Sequence, residues 1–108
     1  MSIHLPPAIE IYINAENSGD VDAMSRCFAP DAIVRDEGHT YEGLVAIKQW
    51  KTETKKKYSH SVEPLDAVER DGKTVVTSKL AGNFPNSPVT LEFIFGLKDD
   101  KIVSLEIH

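Results

Sequence analysis

The stretch Phe28-Ala29-Pro30-Asp31-Ala32-Ile33-Val34-Arg35-Asp36-Glu37-Gly38 sets the reading of this 108-residue chain. It holds the end of a helix, a Pro-Asp turn, a short apolar strand over Ala32 to Asp36, and a carboxylate where that strand stops. An acid placed so, at the rim of an apolar cavity, can be partly desolvated and raised toward usefulness as a general base.

Upstream, Pro6-Pro7 can open a helix, because a proline at the first helical position gives up no needed hydrogen bond. Leu5, Ala8, Ile9, Tyr12, Ile13 and Glu16 then fall on one face at helical spacing, and Gly19 ends the helix. Asp20 caps a second, short helix whose buried stripe is Val21, Met24, Cys27 and Phe28, with Pro30 as its stop. Downstream, Glu37 to Gly43 reads as a loop into a third helix from about Leu44 to Tyr58, with Leu44, Ile47, Trp50 or Lys51, Thr54 and Tyr58 inward. The period then changes to two. Ser61 to Arg70, Lys73 to Phe84, Val89 to Lys98 and Lys101 to Ile107 read as four strands, separated by Asp71-Gly72, Pro85-Asn86-Ser87-Pro88 and Asp99-Asp100. Gly82 and Gly96 are candidate bends or bulges, or places of close packing.

Helices first and an antiparallel meander after give an α+β fold: three N-terminal helices packed on a strongly curved sheet, in a single domain over residues 1–108. Such a sheet leaves a pocket at its open end. The late strands offer apolar residues on both faces: Ile94 alternates against Phe93 and Phe95, and Val103, Leu105 and Ile107 against Ile102. A homodimer through the outer sheet face is therefore expected.

Composition excludes several classes. The net charge of -5 argues against nucleic acid, and the Lys55-Lys56-Lys57 cluster suits a helix C-terminus and a solvated face. No apolar run could span a bilayer, and Met1 to Pro7 has neither a basic nor an apolar leader region, so a cytoplasmic location and no membrane partner are expected. Cys27, the one cysteine, falls on the apolar stripe as a small core residue. His4, His39, His60 and His108 are scattered, so no metal site is expected, and His60 and His108 read as strand-end surface groups. There is no phosphate loop, dinucleotide fingerprint or nucleophile elbow, and no cofactor is expected.

Four features carry a resemblance: Tyr12-Ile13 ahead of Gly19-Asp20, the Phe28-Ala29-Pro30-Asp31-Ala32 turn, the Tyr41-Glu42-Gly43-Leu44-Val45-Ala46-Ile47 helix entry, and the paired C-terminal strands. On these the chain, from about Pro7 to His108, resembles the nuclear transport factor 2-like superfamily in its SnoaL-like and ketosteroid isomerase-like branch. The resemblance implies a cone-shaped α+β barrel whose sheet is mixed or antiparallel. In ketosteroid isomerase-like enzymes a helix-1 tyrosine donates to a developing enolate and an aspartate ending the first strand shuttles the proton. Tyr12 and Asp36 match those places. Those enzymes add a protonated acid on a late strand, where this chain has phenylalanine, and Glu92 beside it would point to the opposite face.

The catalytic candidates are thus Asp36 as base, Tyr12 as donor and His39 as auxiliary, since an imidazole can exchange protons near neutrality. Each also has a plain alternative: a turn aspartate, a core tyrosine, a loop histidine. Trp50, Phe84, Phe93 and Phe95 are candidates to line a pocket for a small hydrophobic molecule, or to fill it. Arg35 alternates away from Asp36. The function expected is a cofactor-independent isomerase, cyclase or dehydratase moving a proton on a hydrophobic carbonyl compound. The alternative is a non-catalytic ligand-binding or dimerisation module of the same fold.

Overall fold

The computed structural model describes residues 5–57, 60–85 and 87–108. Helix α1 spans Pro7–Ser18, with Pro6 at its N-cap and Gly19 closing it in a left-handed conformation at φ 76°. A 3-10 turn, Val21–Ala23, runs into helix α2, Met24–Cys27, and helix α3 spans Gly43–Lys57. Six strands, β1 (Phe28–Asp36), β2 (His39–Glu42), β3 (His60–Arg70), β4 (Lys73–Gly82), β5 (Val89–Lys98) and β6 (Lys101–Ile107), form one open mixed sheet in the order β2-β1-β6-β5-β4-β3. Three helices on a curved α+β sheet are what the periodicity predicts.

The α1 stripe is inward: Ala8, Ile9, Tyr12, Ile13 and Glu16 are all buried. They pack with Met24, Cys27, Phe28, Ile47, Phe93 and Phe95 in one core. Burial pushes the Cys27 thiol up to about 11, as suits an inert core cysteine. Asp20 caps its turn, accepting from the Ala23 backbone N–H at 3.3 Å.

Several boundaries differ from the sequence expectation. The second helix stops at Cys27, and Pro30 lies inside β1 instead of ending a helix. A proline in a strand needs a break in the ladder, and one is present: pairing with the parallel neighbour β6 skips from Phe28↔Ile102 to Ile33↔Ser104. Residues 37–43 are not a plain loop. Glu37 and Gly38 both take positive φ (52° and 79°), which makes a two-residue hairpin turn, and His39–Glu42 returns as β2 with Asp36 directly opposite His39. Strand β4 ends at Gly82 rather than Phe84. Tyr58 and the side chains of Lys55, Lys56 and Lys57 lie outside the described residues.

One irregularity falls at Gly96 as expected, where the pairing of β5 with β6 shifts, and Gly82 marks none. Leu65 on β3 and Val103 on β6 are extra residues in their ladders. The Val103 bulge shifts β6 by one residue, so Ile102 and Leu105 are both fully buried on the inner side rather than on opposite faces. Gly96 faces Ser104 across this irregularity, and a Cβ there would fall 2.3 Å from the serine Oγ. No described helix is long and apolar enough to cross a membrane.

Candidate functional site

Strand directions decide where the site forms. Strands β1 and β6 are parallel, and β6, β5, β4 and β3 alternate antiparallel. The last residues of β1, β4 and β6 and the first of β2, β3 and β5 therefore share one end of the sheet. A cavity of about 480 Å³ opens there between the sheet, α1 and α3. This is an ordinary size for a small-molecule site, roughly 300–1,000 Å³.

At one side stands Asp36, half-buried at the end of β1, with Trp50 of α3 donating its indole N–H to Oδ2 at 3.1 Å. Burial raises the Asp36 pKa above the ordinary carboxylate value, while the Trp50 hydrogen bond pulls it back in part. Glu37 adds to the rise and His39 opposes it. His39 lines the mouth beside Tyr41, whose ring lies 5.8 Å from that of Trp50.

Tyr12 is fully buried, and its ring lies edge-on to Phe28 and Phe95. Its hydroxyl has no hydrogen-bond partner among the described residues, though the residue lines the cavity. Burial, then the charge of Asp36, pushes its pKa well above the ordinary phenol value, so it stands as a neutral donor. Phe84 and Phe93 also line the cavity. Phe95 does not: it sits fully buried in the core, stacked against Phe93. Glu92 is on the outer face, 3.8 Å from Arg70, and Arg35 pairs outward with Glu106.

Sequence reasoning missed the other side of the cavity. His60, expected at the surface, has a side chain only 5% exposed, with Nε2 2.9 Å from Glu16 Oε2. Lys51 forms a buried ion pair with the same carboxylate. Its ammonium also lies over the Trp50 ring, 4.0 Å from the centroid. Asn17 fixes this corner by bonding both ways to the Val62 backbone, at 3.0 and 2.7 Å, which docks α1 on edge strand β3. The signals were present but faint. Glu16 is one turn beyond Tyr12, Lys51 occupies an inward position of α3, and His60 alternates with the buried Val62. No metal-binding cluster occurs among the described residues.

A carboxylate with a raised pKa, a neutral phenol and a buried Glu-His-Lys group therefore share one cavity. That arrangement can remove a proton from carbon and stabilise the oxygen that gains charge.

A model of the SnoaL-like domain matches residues 9–105. No match was found among curated protein sequences. Protein SMa1630 of Sinorhizobium meliloti, whose polyketide cyclase name is provisional, is 44% identical over 96% of this chain and 95% of that one, with a TM-score of 0.91. A protein of ketosteroid isomerase-like fold from Catenulispora acidiphila DSM 44928, in complex with trimethylamine, is 18% identical over 97% and 86% of the two chains, with a TM-score of 0.84. An LEH-like epoxide hydrolase of M. tuberculosis is 14% identical over 94% and 79%, with a TM-score of 0.76. The last two likenesses concern the fold alone.

Proposed function

The chain belongs to the SnoaL-like family, and from that premise we propose that it is a cofactor-independent isomerase or cyclase acting on a small hydrophobic carbonyl compound. The observation that carries this reading is the Tyr12 hydroxyl, buried and without a hydrogen-bond partner among the described residues, on a side chain that lines the same cavity as Asp36. A buried phenol left unpaired costs about 1–3 kcal/mol, a cost that a bound carbonyl oxygen would remove. The likeness to SMa1630 supports the same class of chemistry.

Asp36 takes a proton from the carbon beside the carbonyl. The C–H pair moves into the C–C bond, and the carbonyl oxygen becomes an enolate oxygen that accepts from Tyr12. Only in that state does the oxygen carry full charge, so the Tyr12 hydrogen bond is stronger there than in the ground state. Trp50 holds the carboxylate in place by its indole N–H. His39, opposite Asp36 in the hairpin, is an auxiliary at the mouth. A homodimer through the outer sheet face belongs to this reading, supported by the exposed Val68 and the half-buried Ile94, which stand in register on either side of the buried Val75.

Deuterium uptake from heavy water into heptane-2,6-dione, an enolisable probe, tests the chemistry by NMR. Wild-type protein is expected to accelerate uptake, and Asp36→Asn to lose at least about 100-fold of that acceleration while keeping its fold. Equal acceleration by the variant removes Asp36 from the role. A ligand-binding module without chemistry would show thermal stabilisation by the dione and no uptake.

A further inference from the structure

The β1–β2 turn and helix α3 bring carboxylates and aromatic rings together at one side of the cavity mouth. Asp36 and Glu37 come from the turn, Tyr41 returns on β2, and Trp50 and Glu53 stand one turn apart on α3. All five line the cavity. Of the carboxylates in its wall, Glu16 is ion-paired with Lys51. The other three, Asp36, Glu37 and Glu53, form no ion pair among the described residues.

Their charge converges on Tyr41. After burial itself, Asp36, Glu53 and Glu37 in turn push its phenol above the ordinary value. The Tyr41 ring lies 5.8 Å from the Trp50 ring at an interplanar angle of 31°, and Trp50 already carries the Lys51 ammonium 4.0 Å from its centroid. Aromatic faces beside unanswered carboxylates attract a soft cation both by ring quadrupole and by charge, and cavity walls of one sign focus that field. A separate observation points to an occupant. The fully buried Tyr12, which lines the same cavity, carries a hydroxyl with no hydrogen-bond partner among the described residues.

We infer that the ligand of this cavity carries an alkylammonium group, held at the mouth by Glu37 and Glu53 against the Tyr41 ring that Trp50 backs. This deepens the reading of the cavity as a carbonyl site and rests on it for the ligand's orientation: the carbonyl end points inward and the cationic end stays at the mouth. A metal ion fits less well, because no metal-binding cluster occurs among the described residues and aromatic faces offer it no lone pair. Glu37 and Glu53 are exposed, so water screens each of them and the pair sets a preference for charge rather than a tight clamp.

Two ketones of the same shape test this: 5-(trimethylammonio)pentan-2-one and its neutral counterpart, 6,6-dimethylheptan-2-one. Trp50 is the one tryptophan of the chain, so its fluorescence reports the binding of either. Wild-type protein is expected to bind the ammonium ketone at least about tenfold more tightly than the neutral one, with the preference shrinking as salt is raised. The double variant Glu37→Gln, Glu53→Gln should bring the preference to within about twofold. Equal or tighter binding of the neutral ketone by wild type, no saturable binding of either, or an undiminished preference in the double variant overturns the cationic class. Deuterium uptake is read separately. Its absence from both ketones, with the binding preference present, overturns instead the reading of Asp36 as the base.

Discussion

The two sides of the cavity treat a buried carboxylate in opposite ways. Asp36 is half-buried and held by a neutral indole N–H, so desolvation prevails and its pKa rises. Glu16, only 2% exposed, is instead answered by the Lys51 ammonium and by His60. A neutral donor leaves a carboxylate ready to take up a proton, whereas a full counter-charge keeps it an anion. The first solution suits a base, and the second suits a group that orients another residue.

Breaking the second side should have the largest effect on stability. Lys51→Met leaves the Glu16 charge buried without its ammonium partner and should cost about 3–5 kcal/mol in urea unfolding. Adding Glu16→Gln to it should recover part of that loss. A cost below about 1 kcal/mol for the single variant would show that Glu16 is not held as an anion by Lys51.

On the first side, Trp50→Phe removes the indole N–H that Asp36 accepts and should cost about 1–3 kcal/mol. Since that hydrogen bond lowers the Asp36 pKa, its loss should move the carboxyl titration further upward, as read by NMR. A downward movement would contradict the geometry.

The pH dependence of stability sharpens the contrast. A folded-state pKa raised above the ordinary 3.8 means that the folded protein binds the Asp36 proton more tightly than the unfolded chain does. Its contribution to stability is fully present below 3.8 and is lost as pH rises through the raised value. The stability difference between wild type and Asp36→Asn should thus decline across that acidic window and stay flat above it. A difference that grows with pH reverses the sign and refutes the raised pKa.

The smallest effect on folding is expected from Tyr12→Phe. Its hydroxyl has no hydrogen-bond partner among the described residues, so removal should leave the melting temperature unchanged or slightly raised, while deuterium uptake by the probe falls. A loss above about 2 kcal/mol would mean that the hydroxyl contributes to the fold itself.

Much of this was legible locally. The α1 stripe from Ala8 to Glu16, the cap at Asp20, and the β4, β5 and β6 strands follow from periodicity and turn chemistry, which act over a few residues. Asp36 at a strand end and Tyr12 on a buried face were legible for the same reason. The β1–β2 hairpin was missed because Glu37 adopts positive φ without being glycine, and its strand has only four residues. The extra residue at Val103, on the strand facing Gly96, was missed because it reverses an alternation that the residues alone would continue.

The sequence by itself determined the element order, the inward faces of the helices, and a carboxylate and a phenol bound for the core. Only the tertiary structure decided that His60, Glu16 and Lys51 meet. They lie on β3, α1 and α3, far apart along the chain, and each alone is a polar residue with an ordinary surface explanation. Helical and strand periods report which face a residue takes. Which faces close on one another depends on sheet curvature and bulge positions, set by packing over the whole domain.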